Sequence, residues 1–312
     1  MASVFRLGTR GSPLALAQAA EVKARLAATF PELAPPDAIT IVPIRTSGDR
    51  LTQGSLGDAG GKGLFTKEID AALAAGTIDA AVHSLKDLPS LAPPGLAIAC
   101  HLPRADPRDA LIARGAAGLA DLAAGAVIGT ASIRRKAQLL HARPDLVVVP
   151  LRGNVGTRLA KLEAGGIAAT VLAVAGLQRL GRLDAITSVL APEAMLPAAG
   201  QGVIVVEARA DDAGTRAFLA ALDDAATAAC ATAERALLAT LDGSCQTPIG
   251  ALATLAGAIV TLDAMVIRPD GGALHRTRHQ GPAAAAGAIG AAAGAELAAR
   301  AGAGFFAAAV PG

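Results

Sequence analysis

Cationic side chains recur at one kind of place in this sequence. Arg10 follows a short apolar stretch and stands just before Ser12-Pro13. Lys62 lies in the glycine-rich segment Gly54–Gly63. Arg134 and Arg135 follow Thr130 and Ser132, and Arg152 and Arg158 bracket the turn Gly153-Asn154. Each is a point where a strand-like stretch gives way to a helix-like one. If the strands are parallel, these junctions lie at their carboxyl ends, the side on which α/β proteins bind ligands. Helix N-termini there add free N–H groups and a positive dipole end. Guanidinium forks suit carboxylate recognition, so the pattern describes a cleft for several carboxylates or phosphates. A single such arginine is usually a solvated surface charge; the repetition at four junctions argues for a site.

His83-Ser84-Leu85-Lys86-Asp87-Leu88-Pro89 ends another strand-like run, Ile78–His83. A neighbouring lysine and aspartate often form only a surface pair. Inside an anion-binding cleft Asp87 is the exception, a carboxylate suited to a developing positive charge or an N–H donor. His83 reads as a packed or capped strand residue. Of the three cysteines, Cys100 closes an apolar strand and Cys230 sits in an alanine-rich helix, so both read as buried hydrophobes. Cys245 lies in the turn Asp242–Gly250, where its thiol is exposed, although reactivity also requires a perturbed pKa. The cysteines show no metal-ligand spacing, and no metal is expected. Their odd number argues against a disulfide framework and for a reducing cytoplasm.

Composition narrows the classes. The chain has 312 residues, 53% hydrophobic and 17% charged, which excludes disorder and implies two or three domains. With a formal charge of +2, anion binding must come from local clustering. Trp and Tyr are absent, which removes the stacking platforms of single-strand nucleic-acid binders. Gly61-Lys62 is followed by Gly63 and preceded by Leu56 where a P-loop needs its first glycine, so a nucleotide loop is disfavoured. Arg6 and Arg10 interrupt any secretory signal, and no apolar stretch reads as a membrane span.

The elements that must position these residues alternate through the first two thirds. Strands are expected at Val4–Gly8, Ile39–Arg45, Ile78–His83 and Leu96–Cys100, with helices from Ser12-Pro13 to about Ala28 and over Leu64–Ala75. A second series runs through strand Ala126–Gly129, helix Ile133–His141, strand Leu146–Pro150, helix Val155–Ala164 and strand Ala168–Ala173. This rhythm predicts α/β layers with parallel strands. His101–Pro107 and Leu196–Gly202 read as crossings between two such domains, with Val203–Ala208 returning to the first sheet. Helix Asp223–Leu241 and strands near Ala251–Thr254 and Ile259–Ile267 form a small α+β remainder, and the tail Pro282–Gly304 reads as one weakly specified helix. The expected domains are 1–102 with 203–220, 103–202, and 221–312.

Seven segments, in order, resemble the porphobilinogen deaminases, also called hydroxymethylbilane synthases. They are RLGTRGSPLAL at 6–16, GGKGLFTKE at 60–68, HSLKDLP at 83–89, IGTASIRRKAQL at 128–139, LRGNVGTRLAKL at 151–162, PAAGQG at 197–202 and GSCQTPIG at 243–250. The resemblance implies two periplasmic-binding-protein-like α/β domains plus a small α+β C-terminal domain, with the active site between the first two. It implies a dipyrromethane cofactor, made from the substrate and joined by a thioether to Cys245. Four porphobilinogen units then add head to tail with loss of ammonia, and hydrolysis releases 1-hydroxymethylbilane. Asp87 matches the catalytic aspartate. Arg10, Ser12, Lys62, Ser84, Lys86, Thr130, Ser132, Arg134, Arg135, Arg152, Arg158, Arg179 and Gln201 match positions that hold the acetates and propionates of the pyrroles. The same likeness implies a monomer whose product passes to uroporphyrinogen-III synthase.

Two other classes fit part of the pattern. A non-catalytic two-lobed anion-binding module explains the arginines but gives no role to Asp87 or Cys245. Nucleic-acid binding needs a concentrated basic face, which scattered loop cations and a small net charge do not supply.

Overall fold

The computed structural model describes residues 4–50, 65–243 and 247–306. The chain opens with strand β1 (Phe5–Arg10) and helix α1 (Pro13–Thr29). Ser12 closes the first turn of α1 by accepting from the Ala15 N–H, and Pro13 stands where no N–H is needed. There follow β2 (Ile39–Ile44), the single turn α2 (Ser47–Arg50), α3 (Lys67–Ala74), β3 (Ala80–Ser84) and β4 (Leu96–His101). Next come β5 (Asp109–Ala113), β6 (Val127–Gly129), α4 (Ile133–Ala142), β7 (Val147–Val149), α5 (Val155–Glu163), β8 (Ala169–Ala173), α6 (Val174–Arg179) and β9 (Ser188–Leu190). The remainder is β10 (Ile204–Arg209), α7 (Ala213–Ala220), α8 (Ala225–Thr240), β11 (Ile249–Ala256), β12 (Ile259–Ile267), β13 (Leu274–Pro282) and α9 (Ala286–Ala301).

Two compact units result: Met1–Arg104 with Val203–Ala228, and Ala105–Gly202 with Ala229–Gly312. The region expected at 221–312 thus shares its unit, for the most part, with 105–202. In the first unit the sheet order is β2-β1-β3-β10-β4. Strands β1, β2 and β3 are parallel, as the alternation predicts, but β10 runs antiparallel to both β3 and β4. The second unit repeats the departure: in β7-β6-β8-β5-β9, strand β5 is antiparallel to β8 and β9. The all-parallel expectation is therefore corrected. Parallel neighbours need a crossover of a dozen or more residues, and periodicity marks only the strands joined by such helices. Strands β5, β9 and β13 and helices α6 and α7 were not anticipated. The first two strands lie outside the regular alternation, and β13, LHRTRHQGP, carries too few apolar residues to signal a strand.

Both faces of the first sheet are covered, which is why its strands read as continuous apolar runs. Leu7, Val22, Leu26, Ile39, Val82 and Val206 pack on one side; Ile69, Leu73, Ile78 and Leu96 pack on the other. In the second unit Leu111, Ile128, Leu139 and Val171 form one layer, and Ile112, Leu159, Leu172 and Leu177 the other. The meander β11-β12-β13 buries Val260 and Leu262 against Leu237 and against Ile289, Ala293 and Leu297 of α9. Helix α9 looks weakly specified because its buried face is small. A Cβ at Gly290 would collide with the Ala233 carbonyl, and one at Gly294 would lie 2.7 Å from Thr240 Cβ. The glycines set how closely α9 approaches α8. Among the described residues no helix is long and apolar enough to cross a membrane.

Candidate active site

In the first unit the carboxyl ends of β1 and β3 converge on a small cavity. Its walls include Arg10 at the end of β1, Ser12 just after it, His83 and Ser84 at the end of β3, Asp87 beyond that strand, and Phe65. Thr9 Oγ1 donates to the Ala15 carbonyl at 3.4 Å and lies 3.2 Å from the Val82 carbonyl, joining the start of α1 to β3. The Arg10 guanidinium lies over the Phe65 ring, 4.3 Å from its centroid, a cation–π contact that directs the charge. Ser84 exchanges hydrogen bonds with Gln18, at 2.7 and 3.1 Å, so its hydroxyl is engaged with α1. Asp87 ends a single 3-10 turn, Leu85–Asp87, whose Leu85 N–H donates to the Val203 carbonyl at 3.0 Å, and its carboxyl is exposed. Lys86 precedes it, half-buried.

Beneath this cavity lies a buried polar group. His83 is 6% exposed, and its Nε2 is 3.4 Å from Glu207 Oε2 of β10 without forming a hydrogen bond. Burial pushes the His83 pKa down to about 4, and the charge of Arg10 acts in the same direction. Asp70 of α3 completes the group, with donor atoms of all three residues within 4.8 Å of one another. Its pKa is raised, chiefly by burial. The expectation that His83 is a packed strand residue agrees with its position.

The second unit assembles its cations at the ends of β6 and β7. The Thr130 N–H donates to the Val149 carbonyl at 2.9 Å, and Thr130 Oγ1 accepts from the Ser132 N–H at 3.2 Å. Ser132 caps α4 through the Arg135 N–H, and Asn154 caps α5 through the Thr157 N–H. Gly153, at φ +117°, makes the turn before α5, and a Cβ there would lie 2.7 Å from Thr157 Cγ2. Arg134 and Arg135 do not project into solvent. Both are buried on Asp109, with Nη2 distances of 2.8 and 2.7 Å. Gln201 Nε2 reaches the same carboxylate at 2.8 Å. Arg158 Nε donates to the Gly153 carbonyl at 2.8 Å, and Arg179 Nη2 to the Gly202 carbonyl at 2.9 Å. Arg152 is half-buried and pairs with no acid among the described residues. Lys62 and Cys245 lie outside the described residues. Cys100 and Cys230 are buried and in no disulfide, and burial pushes the Cys100 thiol up to about 12, which makes it inert.

Residues 5–217 match the family described as "Porphobilinogen deaminase, dipyromethane cofactor binding domain", and residues 228–299 match "Porphobilinogen deaminase, C-terminal domain". The chain belongs to the porphobilinogen deaminase family. The porphobilinogen deaminase of Paracoccus denitrificans is 52% identical over 302 residues, covering 97% of this chain and 96% of that one. A chloroplastic porphobilinogen deaminase of Pisum sativum is 49% identical over 97% of this chain and 84% of its own. Among solved structures, the Bordetella pertussis BvgS VFT2 domain aligns with a TM-score of 0.40 and 16% identity, over 70% of this chain and 85% of that one. As a porphobilinogen deaminase, the chain joins four porphobilinogen units head to tail on a dipyrromethane cofactor with loss of ammonia, and releases 1-hydroxymethylbilane.

The residues present fit a polycarboxylate group of this kind. Among the described residues Arg152 pairs with no acid, and the two buried arginines exceed Asp109 by one charge. Sequence reasoning missed Asp109, Gln18 and Glu207. The available signal was a charged residue opening the apolar strand DALIA, and another inside VVEAR. Neither shows its partner in sequence.

Proposed function

We propose that Asp87 carries the chemistry of the condensation, and that the strand-to-helix junctions hold the acetate and propionate groups of the pyrroles. The observation that supports this is the exposed Asp87 carboxyl sharing a cavity with Arg10 and the capped start of α1. A carboxylate there accepts from a pyrrole N–H and stabilises the positive charge that develops on the substrate as ammonia leaves. Arg10, Ser12 and Lys86 in the first unit, and Thr130, Ser132, Arg134, Arg135, Arg152, Arg158 and Arg179 in the second, orient the carboxylates. Ser84 acts with Gln18, and Gln201 with Asp109, in holding that geometry. Lys62 belongs to the same set by its place in the sequence. The dipyrromethane supplies the nucleophilic pyrrole carbon on which the chain grows, and Cys245 is its point of attachment.

The reading extends to a monomer, to work in the cytoplasm, which bacterial relatives support, and to a labile hydroxymethyl product passed to uroporphyrinogen-III synthase. Intact-mass and peptide-mass measurements test the attachment. A two-pyrrole adduct on the Cys245 peptide is expected from cells that make porphobilinogen, together with Ehrlich reactivity. Bare Cys245 in active protein rules the attachment out.

A further inference from the structure

Asp109 opens β5 and is completely buried between β8 and β9, opposite Ala173 and Leu190. Its carboxylate accepts four hydrogen bonds: Arg134 Nη2 on Oδ2, and Arg135 Nε, Arg135 Nη2 and Gln201 Nε2 on Oδ1. Three of the four fall on Oδ1 and one on Oδ2, against about four lone-pair sites on an ionised carboxyl. Burial alone raises its pKa, but the two guanidinium groups outweigh that and hold it far below the usual carboxylate range. The arginines are fixed at their other ends too. Arg134 Nη1 donates to the Leu196 carbonyl at 2.7 Å, and Arg135 Nη1 to the Val171 carbonyl at 2.9 Å.

Two features of this cluster are costly unless it serves a ligand. Arg134 and Arg135 stand in the first turn of α4, where the helix dipole favours negative charge. The cluster also holds two cations against one anion, at 4% and 6% exposure for the arginines. One arginine would balance Asp109, and a buried ion pair is already weak as a source of stability. The second arginine makes physical sense as the unneutralised half of a site for an anion.

We propose that Asp109 is the positioning residue that aims Arg134 and Arg135 at one pyrrole carboxylate, which brings the buried charge to zero. This rests on the reading that these arginines hold pyrrole carboxylates, and it adds the residue that fixes their direction. Asp109 itself does not touch the substrate.

The test uses holoenzyme whose adduct-bearing fraction is counted by intact mass. Asp109→Asn is expected to raise the KM for porphobilinogen about ten-fold or more, with kcat per loaded chain changed only about two- to three-fold. Asp109→Glu, which keeps the charge but displaces the forks, is expected to lie between Asn and the unaltered protein. A merely structural role lowers the loaded, folded fraction and leaves KM where it was. If Asp109→Asn is not recovered folded, Asp109→Glu decides, and an unchanged KM overturns the proposal. Arg135→Gln separates the two readings. An unchanged KM there, with an unchanged adduct-bearing fraction, removes the carboxylate-binding role of the arginines. A raised KM there, beside an unchanged KM in the folded Asp109 variants, removes only the role given to Asp109.

Discussion

Asp87 and Arg152 differ in what their removal should cost. Asp87→Ala is expected to lower kcat by about a hundredfold or more, the scale for losing a group aimed at developing charge. Near-normal output of hydroxymethylbilane from that variant would exclude Asp87 as the catalytic carboxylate. Arg152 makes no ion pair among the described residues, so Arg152→Ala should leave stability unchanged. Losing one charged hydrogen bond of about 1.5–3 kcal/mol to the ligand corresponds to a rise in KM of about ten- to a hundredfold. His83 bears on stability and pH. Its folded pKa of about 4 lies below its ordinary 6.5, so the unfolded chain takes up the proton first. Stability is therefore full above about pH 6.5 and falls as pH drops toward about 4, by up to about 3 kcal/mol. His83→Gln should flatten that part of a melting-temperature profile, and an equally steep profile would mean another group is responsible. The candidate residues Asp87, Arg10 and Arg152 could be singled out because they sit in short contiguous segments. Asp109 and Glu207 were not, because their partners lie 25 or more residues away and are reached only through the sheets.

At the scale of elements, the caps were the most readable part. Ser12-Pro13 announces α1 in sequence, and in the structure Ser12, Ser132 and Asn154 each accept an N–H from the first turn of α1, α4 and α5. Ser132→Ala should cost about 1 kcal/mol of stability by freeing that N–H. A thermal midpoint by far-ultraviolet circular dichroism matching the unaltered protein would count against the cap. Helix α9 inverts the usual propensity argument. Alanine is the better helix former by about 1 kcal/mol, yet Gly290→Ala is expected to destabilise, because its methyl meets the Ala233 carbonyl. A higher melting temperature for that variant would show that α8 and α9 can separate freely. Strand direction was the least readable feature. The alternation of strands and helices says which segments are strands, whereas direction depends on which gap in the sheet a returning segment enters.

For the whole molecule, the formal charge of +2 means that attraction for an anionic substrate is local. Raising salt from about 0.1 to about 1 M shortens the screening length from about 10 to about 3 Å. The KM for porphobilinogen should then rise several-fold while kcat changes little, and a salt-independent KM would mean that accessible cations contribute nothing to capture. The placement of β10 between β3 and β4 also governs how the polypeptide leaves the ribosome. Both flanking strands emerge early, but the one that joins them follows only after the whole of Ala105–Gly202. At about 5–20 residues per second that interval is roughly 5–20 s. Throughout it the nascent first sheet has two unsatisfied borders, an invitation to chaperones that the finished enzyme no longer extends.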